Sequence, residues 1–325
     1  MARLDAIMTS GEILSGLAGL RVLVVGDICL DQWCRYEPAL SEPSRETGIA
    51  RTAIVSTERT PGGGGTIANN LVALGVKDVS VLGVIGVDGF GWELLRALQA
   101  RRIRTDLLLQ SPEMATFTYT KLINGETDAE DLPRVDFVNH TPLPGGAEAQ
   151  LEKLLAEAWA DFDVVLVSDQ AETRAGGVIS PAIRERLCEL AAEDKRKVVW
   201  VDSRERGELF RNVFLKLNRE EAAAAYDRGL TPSQLRALVI TKGQDGVELQ
   251  SPEGTLSLPA RSVEAIDVCG AGDSFSAGAA TALYMTGSLE TAARFGSIVA
   301  SITVTKQGTG TASPHEVLEA GEGTF

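Results

Sequence analysis

The chain has 325 residues, 44% of them hydrophobic, which is enough apolar material to pack one large α/β domain. Its 45 acidic residues outnumber 31 basic ones and leave a net charge of −14, so nucleic acid and anionic membranes are not expected as partners and any phosphate-bearing ligand must be held by local groups. Four cysteines without a CxxC pair and two histidines argue against a disulfide framework, a His-rich zinc site or a serine-hydrolase triad; with no run near the roughly 20 apolar residues of a membrane span and no signal-peptide pattern, a cytoplasmic protein is expected.

RVLVVGD (21–27) is a short apolar run closed by Gly and Asp and predicts a buried strand. Residues 28–60 break that pattern: YEPALSEPSRETG is too rich in Pro, Ser and Glu for a core, and TAIVSTERT predicts an exposed strand. GGGTIA (63–68) satisfies the G-x-G-x-x-A spacing of a dinucleotide-binding turn, but a lone match is weak and no βαβ unit opens before it. VSVLGVIG (79–86) predicts a second buried strand and DGFGWELLRALQARRI (88–103) an amphipathic helix. TFTYTKLI (116–123) and RVDFV (134–138) read as edge or surface strands. The buried pattern then resumes with VVLVSD (164–169), KVVWVD (197–202) and ALVITKG (237–243), and SPAIRERLCELAAEDKR (180–196) is a further helix. The alternation predicts a mostly parallel sheet covered on both faces, in a single domain over 1–325, with a small β lid inserted from about 28–60 and 116–138. Ligands of such sheets bind beyond the carboxyl ends of the strands, where Asp27, Asp169, Asp202 and Lys242 stand. Asp and Gly also end strands simply because they make turns.

Near the C-terminal end, AIDVCGAGDSFSAG (265–278) passes from a β-like run through a glycine turn into a helix of small residues. Gly270 and Gly272 let backbone approach a ligand, and the helix aims its free N–H groups and positive dipole end at the same place, an anion hole. Asp273 fits either an N-cap or a carboxylate that accepts a hydroxyl proton beside that hole.

DVCGAGD (267–273) resembles the second signature of the ribokinase-like sugar kinases, the PfkB family, and VVGDICLD (24–31), LKLNREE (215–221), VITKGQDG (239–246) and TKQGTGTASP (305–314) resemble further family segments in the right order. The resemblance implies a ribokinase-like three-layer α/β/α fold with a mostly parallel central sheet and a β lid, and because an exposed β edge needs cover, the lid strands are expected to pair between two subunits as a homodimer. It implies a kinase moving the γ-phosphoryl group of Mg·ATP to a hydroxyl of a sugar or sugar phosphate. Asp273 would be the base, with the amides of Gly270, Ala271 and Gly272 stabilising charge. Asp27, Asp31, Gly62, Gly63, Asn70 and Arg134 would hold the substrate, and Arg204 is a further cation for an anionic one. Thr241, Gly243, Gly246 and Gly308 would contact the nucleotide, Asn218 and Glu221 would organise Mg²⁺, and Asp267 would fix the turn or hold a monovalent ion such as K⁺. Within the family, VVGDICLDQW, PRVDF, SDQA and QGTGTASPHE resemble the heptose-phosphate kinase branch, which implies heptose 7-phosphate as acceptor. The departures fall on substrate recognition: Thr66 stands where the family has Asn, Ile123 where a basic residue would help, SDQAETRAGG lacks an aromatic and a Lys-Gly, and Ser297 replaces an Asn near the adenine. Two other readings are a catalytically silent sugar- or nucleotide-binding protein of the same fold and, on GGGTIA alone, a nicotinamide-dependent reductase. A P-loop kinase is excluded because no G-x-x-x-x-G-K-[ST] occurs.

Overall fold

Residues 8–321 are described by the computed structural model. In chain order the strands are β1 (Arg21–Gly26), β2 (Ile28–Tyr36), β3 (Ile54–Gly63), β4 (Asp78–Gly86), β5 (Leu108–Ser111), β6 (Thr118–Asn124), β7 (Val164–Asp169), β8 (Val198–Ser203), β9 (Phe214–Asn218), β10 (Ala237–Thr241), β11 (Val247–Ser251) and β12 (Gly254–Leu258). The helices are α1 (Ser10–Leu17), α2 (Gly64–Ala73), α3 (Gly89–Ala100), α4 (Gly145–Ala158), α5 (Pro181–Glu193), α6 (Arg219–Asp227), α7 (Ala271–Thr286), α8 (Leu289–Thr303) and α9 (Pro314–Gly321).

Among the described residues, nine strands form one sheet in the order β12-β11-β10-β9-β8-β7-β1-β4-β5, parallel except at the β10–β11 and β11–β12 pairings, which are antiparallel. Period-two alternation sends successive side chains of β1 to opposite faces. Val22 and Val24 join the core beneath α1, α2, α7 and α8, while Leu23 and Val25 join the one beneath α4 and α5. A sheet apolar on both faces must be covered on both, and each fully buried Val or Leu contributes about 1.5–3 kcal/mol to holding that cover. The mostly parallel three-layer α/β/α architecture expected from the alternation is the one found. No helix of the described residues is long and apolar enough to cross a membrane.

At Asp27 the chain leaves this sheet and enters a second one, of order β3-β2-β6. Gly26 makes the exit possible: its φ is +127°, and a Cβ there would lie 2.2 Å from the Ser168 carbonyl oxygen. The strands of the second sheet fall in the two stretches expected for the lid, with β3 running on to Gly63 and straight into α2. Because β3 is antiparallel to β2 and belongs to the small sheet, GGGTIA does not open a βαβ unit.

Residues 134–138 do not form the expected strand. Only an isolated Thr118–Phe137 bridge survives there. Two backbone bonds remain, Thr118 N to the Phe137 carbonyl at 3.1 Å and Val135 N to the Thr120 carbonyl at 3.0 Å, but side chains take the others: Thr120 N donates to Asp136 Oδ1 at 3.0 Å and Phe137 N to Thr118 Oγ1 at 3.2 Å.

Candidate active site

Gly270, in the left-handed region at φ +76°, is the residue that caps α7. Asp273 is therefore not the N-cap; it lies in the first turn and makes no capping bond. The amides of Gly272 and Asp273 find no acceptor among the described residues. α7 reaches this position because its small residues let it press on α8: a Cβ on Gly278 would come 2.9 Å from Val299, and one on Gly296 2.8 Å from the Phe275 carbonyl oxygen. Two free amides and the positive end of a 16-residue helix make an anion site. Burial raises the Asp273 pKa to about 8, with the Asp202 charge adding to the rise and Lys216 and Arg204 opposing it.

This turn opens onto a cleft enclosing about 560 Å³ of empty space, solvent at its mouth included, with Asp31, Lys121, Arg134 and Arg204 on its walls. Asp31 is 8% exposed, and its carboxylate has no hydrogen-bond partner among the described residues. Burial pushes its pKa up to about 7, against the pull of Lys121, Arg204 and Arg134. Gly62 leaves room for that carboxylate, since a Cβ there would sit 2.1 Å from Asp31 Oδ1, and Gly63 lines the cleft. Arg134 pairs with Asp136 at 2.6 Å and lies over the Tyr119 ring, and Arg204 reaches Glu172 at 2.8 Å beside the same ring. The cleft continues into a larger cavity of about 1350 Å³, sharing Trp33, Lys121 and Thr309 with it.

Two residues expected to hold substrate are turned away from the cleft. Asp27 accepts from Gln170 N at 2.9 Å and Val178 N at 2.7 Å, so both carboxylate oxygens tie the end of β1 to the segment after β7. Burial, then the Asp169 charge, raises its pKa to about 6. Asn70 is fully buried in α2, its amide nitrogen donating to the Thr66 carbonyl and its Oδ1 unpartnered. Thr66 gives its hydroxyl to the Pro61 carbonyl at 3.1 Å and points its methyl toward Gly270.

On the side expected to hold nucleotide, Asn218 and Glu221 form a reciprocal capping box for α6: Glu221 N donates to Asn218 Oδ1 at 2.8 Å and Asn218 N to Glu221 Oε2 at 2.7 Å. Asn218 and Thr241 are neighbours in register at the carboxyl ends of β9 and β10. Gly243, at φ +57°, faces open space, whereas Gly246 has a packing role, because a Cβ there would meet the Leu258 carbonyl at 2.0 Å. Gly308 lies on the other flank, against Trp33 of β2, in the larger cavity. Its amide donates to Asp267 Oδ2 at 3.1 Å, and Cys269 N donates to Oδ1 at 2.9 Å, so Asp267 ties the glycine turn to the late loop.

Sequence reasoning passed over Tyr119, Lys121, Trp33, Gln170 and Lys216. For Tyr119 and Lys121 a signal existed: in a strand over 116–123 they share one face with Ile123, so Lys121 could have served where Ile123 was found wanting.

The pfkB family carbohydrate kinase profile matches residues 20–316. The bifunctional protein HldE of Trichlorobacter lovleyi is 33% identical over 93% of this chain and 62% of its own length, and that of Caulobacter vibrioides 32% identical over 90% and 61%. The chain thus spans less than two thirds of these relatives. Among solved structures, Thermotoga maritima ribokinase superposes with a TM-score of 0.68 at 19% identity, covering 93% of this chain and 99% of its own. Escherichia coli phosphofructokinase-2 with substrates and products superposes with a TM-score of 0.70 at 17% identity, covering 94% and 99%. At that identity the likeness is one of fold, and the fold is ribokinase-like. With the profile running from the residue before β1 into α9, and the glycine turn set at the head of α7, the chain belongs to the pfkB family of carbohydrate kinases.

Proposed function

We propose that this carbohydrate kinase transfers the γ-phosphoryl group of Mg·ATP to a hydroxyl of a sugar phosphate, with heptose 7-phosphate the first acceptor to test. The observation that carries the reading is the convergence, in one cleft, of Asp273 at the free amides of α7 with Asp31 and three cations. Lys121, Arg134 and Arg204 are the groups suited to an acceptor that already bears a phosphate, and the HldE relatives lend heptose phosphate its priority.

In the transfer, the acceptor oxygen bonds the γ phosphorus, the β,γ-bridging oxygen leaves with its electron pair as ADP, and the hydroxyl proton passes to Asp273. Asp31 orients the acceptor by taking hydrogen bonds from its hydroxyls. The amides after Gly270 meet the charge on the transferring group, where alignment and charge stabilisation count for more than early deprotonation. Mg²⁺ would supply charge neutralisation between the β- and γ-phosphates. Glu221 and Asn218 suit it by their oxygen donors and their place at the carboxyl end of β9, and burial, then the neighbouring Asp202 charge, raises the Glu221 pKa, Lys216 opposing.

A K⁺ ion beside Asp267 belongs to the same reading, K⁺ being the ion named in a phosphofructokinase-2 complex of the same fold; rates in K⁺ against Na⁺ check it. The four free cysteines suit a cytoplasmic setting. β2, β3 and β6 form the lid, and the outer edge of β3, with Ile54 and Val55 exposed, is where a second copy would pair.

The test is ATP consumption with Mg²⁺ over a panel of sugars and sugar phosphates. Turnover confined to phosphorylated acceptors is the expected result. ATP binding without turnover on any of them would overturn the reading in favour of a binding protein.

A further inference from the structure

One aromatic ring meets both arginines of the cleft. Tyr119, half-buried on β6, is the register partner of Asp31 on β2 and lines the cleft beside it. The guanidinium of Arg134 lies over its ring at 5.3 Å from the centroid and that of Arg204 at 5.5 Å. The two cations come from different parts of the fold: Arg134 from the lid, next to the Val135 amide that bonds the Thr120 carbonyl, and Arg204 from the body, directly after β8. The phenol joins them. Its oxygen accepts from Arg204 Nη1 at 3.2 Å, and its hydroxyl donates to Glu172 Oε1, which takes a second bond from the same Nη1 at 2.8 Å. The ring of Phe117, buried on the same side of the strand, meets the Tyr119 ring edge-on at 5.3 Å and fixes its place.

Packing of the lid alone does not call for this residue. A strand position half-open to a cleft can be filled by an aliphatic side chain, as Ile123 fills its own further along β6. An aliphatic group here would leave two like charges with nothing to draw them to one place. Each arginine also has a carboxylate of its own, Asp136 for Arg134 and Glu172 for Arg204, but the arginine side chains are 43% and 41% exposed, and ion pairs that open to solvent hold their members weakly. The face of a phenol ring carries partial negative charge and attracts a planar guanidinium, so one ring can gather both. Arg204 keeps Nε and Nη2 without an acceptor among the described residues, the pair of donors that grips a phosphate two-handed.

We propose that Tyr119 is a positioning residue that sets acceptor specificity: its ring gathers Arg134 from the lid and Arg204 from the body into one clamp for the phosphate of a phosphorylated acceptor whose hydroxyls meet Asp31 on the neighbouring strand. The proposal rests on the kinase reading and deepens its acceptor side. Tyr119 gives and takes no proton in the transfer. It acts on binding, so its loss falls on the acceptor KM.

The acceptor for the test is the sugar phosphate that turns over fastest with the wild-type protein. Tyr119→Leu removes the ring, and Tyr119→Phe keeps it without the hydroxyl; Tyr119→Met replaces the leucine variant if melting shows that one unfolded. Loss of the ring should raise KM for this acceptor about 10-fold, the scale of two exposed cation–ring contacts, with the change in KM rather than kcat and KM for ATP little moved. The phenylalanine variant should stay within about 3-fold of wild type, because the ring face is kept. Arg204→Met should cost less in the leucine background than in wild type, since the clamp it belongs to is already open. A folded ringless variant with wild-type acceptor KM, or a phenylalanine variant as impaired as the ringless one, would overturn the proposal. Turnover of neutral sugars alone would overturn the clamp and leave the kinase reading standing, whereas no turnover of any sugar would overturn the kinase reading itself.

Discussion

Asp273 pays in stability for its place at the anion hole. With its pKa pushed up to about 8 by burial and Asp202, it is mostly protonated at neutral pH in the ligand-free protein and must lose that proton to act as a base. The expected kcat/KM therefore falls as pH drops below about 8 and levels above it, and a profile of rate against pH from 6 to 9 reads the limb directly. Asp273→Asn should lower kcat by roughly 10²–10⁴-fold with nucleotide binding kept, and near-normal kcat would remove the residue from the proton-transfer step. The same variant should be more stable than wild type at pH 8, by about 1–3 kcal/mol, because a carboxylate held above its unfolded pKa costs stability once it ionises. Asp27 and Asp31 look alike in sequence, four residues apart, yet only Asp31 faces the cleft; the other has its two oxygens on backbone amides. That split was not legible beforehand, because the amides it binds lie on a loop more than 140 residues away.

β6 is the element that brings Lys121 to the cleft. Thr118 and Thr120 are buried while Tyr119 and Lys121 turn to the cleft, which is the alternation a strand imposes. Lys121→Met should raise KM for a phosphorylated acceptor by roughly 10-fold, the scale of one exposed charge-assisted contact, while leaving KM for ATP unchanged. Equal effects on phosphorylated and neutral sugars would take Lys121 out of anion recognition. The β2–β3 pairing carries a second expectation: Gly62 faces Cys29 across the ladder, and the Cβ of a Gly62→Ala variant would collide with the Asp31 carboxylate, so acceptor affinity should drop with the melting temperature little changed. The turn before α7 and the capping box of α6 were readable from local spacing, because both are made by residues within four positions of one another. The failed strand at 134–138 shows the limit of such reading: Asp136 and Thr118 supply bonds from their side chains that the pattern of residue types does not reveal.

For the whole molecule, three acids are raised together, Asp27 to about 6, Asp31 to about 7 and Asp273 to about 8. Between about pH 4 and 8 the folded chain then binds more protons than the unfolded one, so stability falls as pH rises through that window. Melting temperatures measured from pH 5 to 8 in ligand-free protein should decline, and a rise would contradict the shared burial of these carboxylates. The open edge of β3 predicts a dimer at micromolar concentration in sedimentation, with charged substitution at Val55 returning it to monomers. The alternation of apolar runs with amphipathic segments was sufficient for the covered parallel sheet, because the two periods of 2 and 3.6 residues are written locally. So it was for the glycine turn that opens α7, since glycines and a helix start need only neighbouring residues to declare themselves. Which carboxylate faces the cleft, where Lys121, Arg134 and Arg204 converge and that Lys216 lies under Gly272 were decided by the tertiary structure alone. Those placements depend on strands distant in sequence coming into register, and on burial, which sets the charge of a carboxyl only after the chain has closed around it.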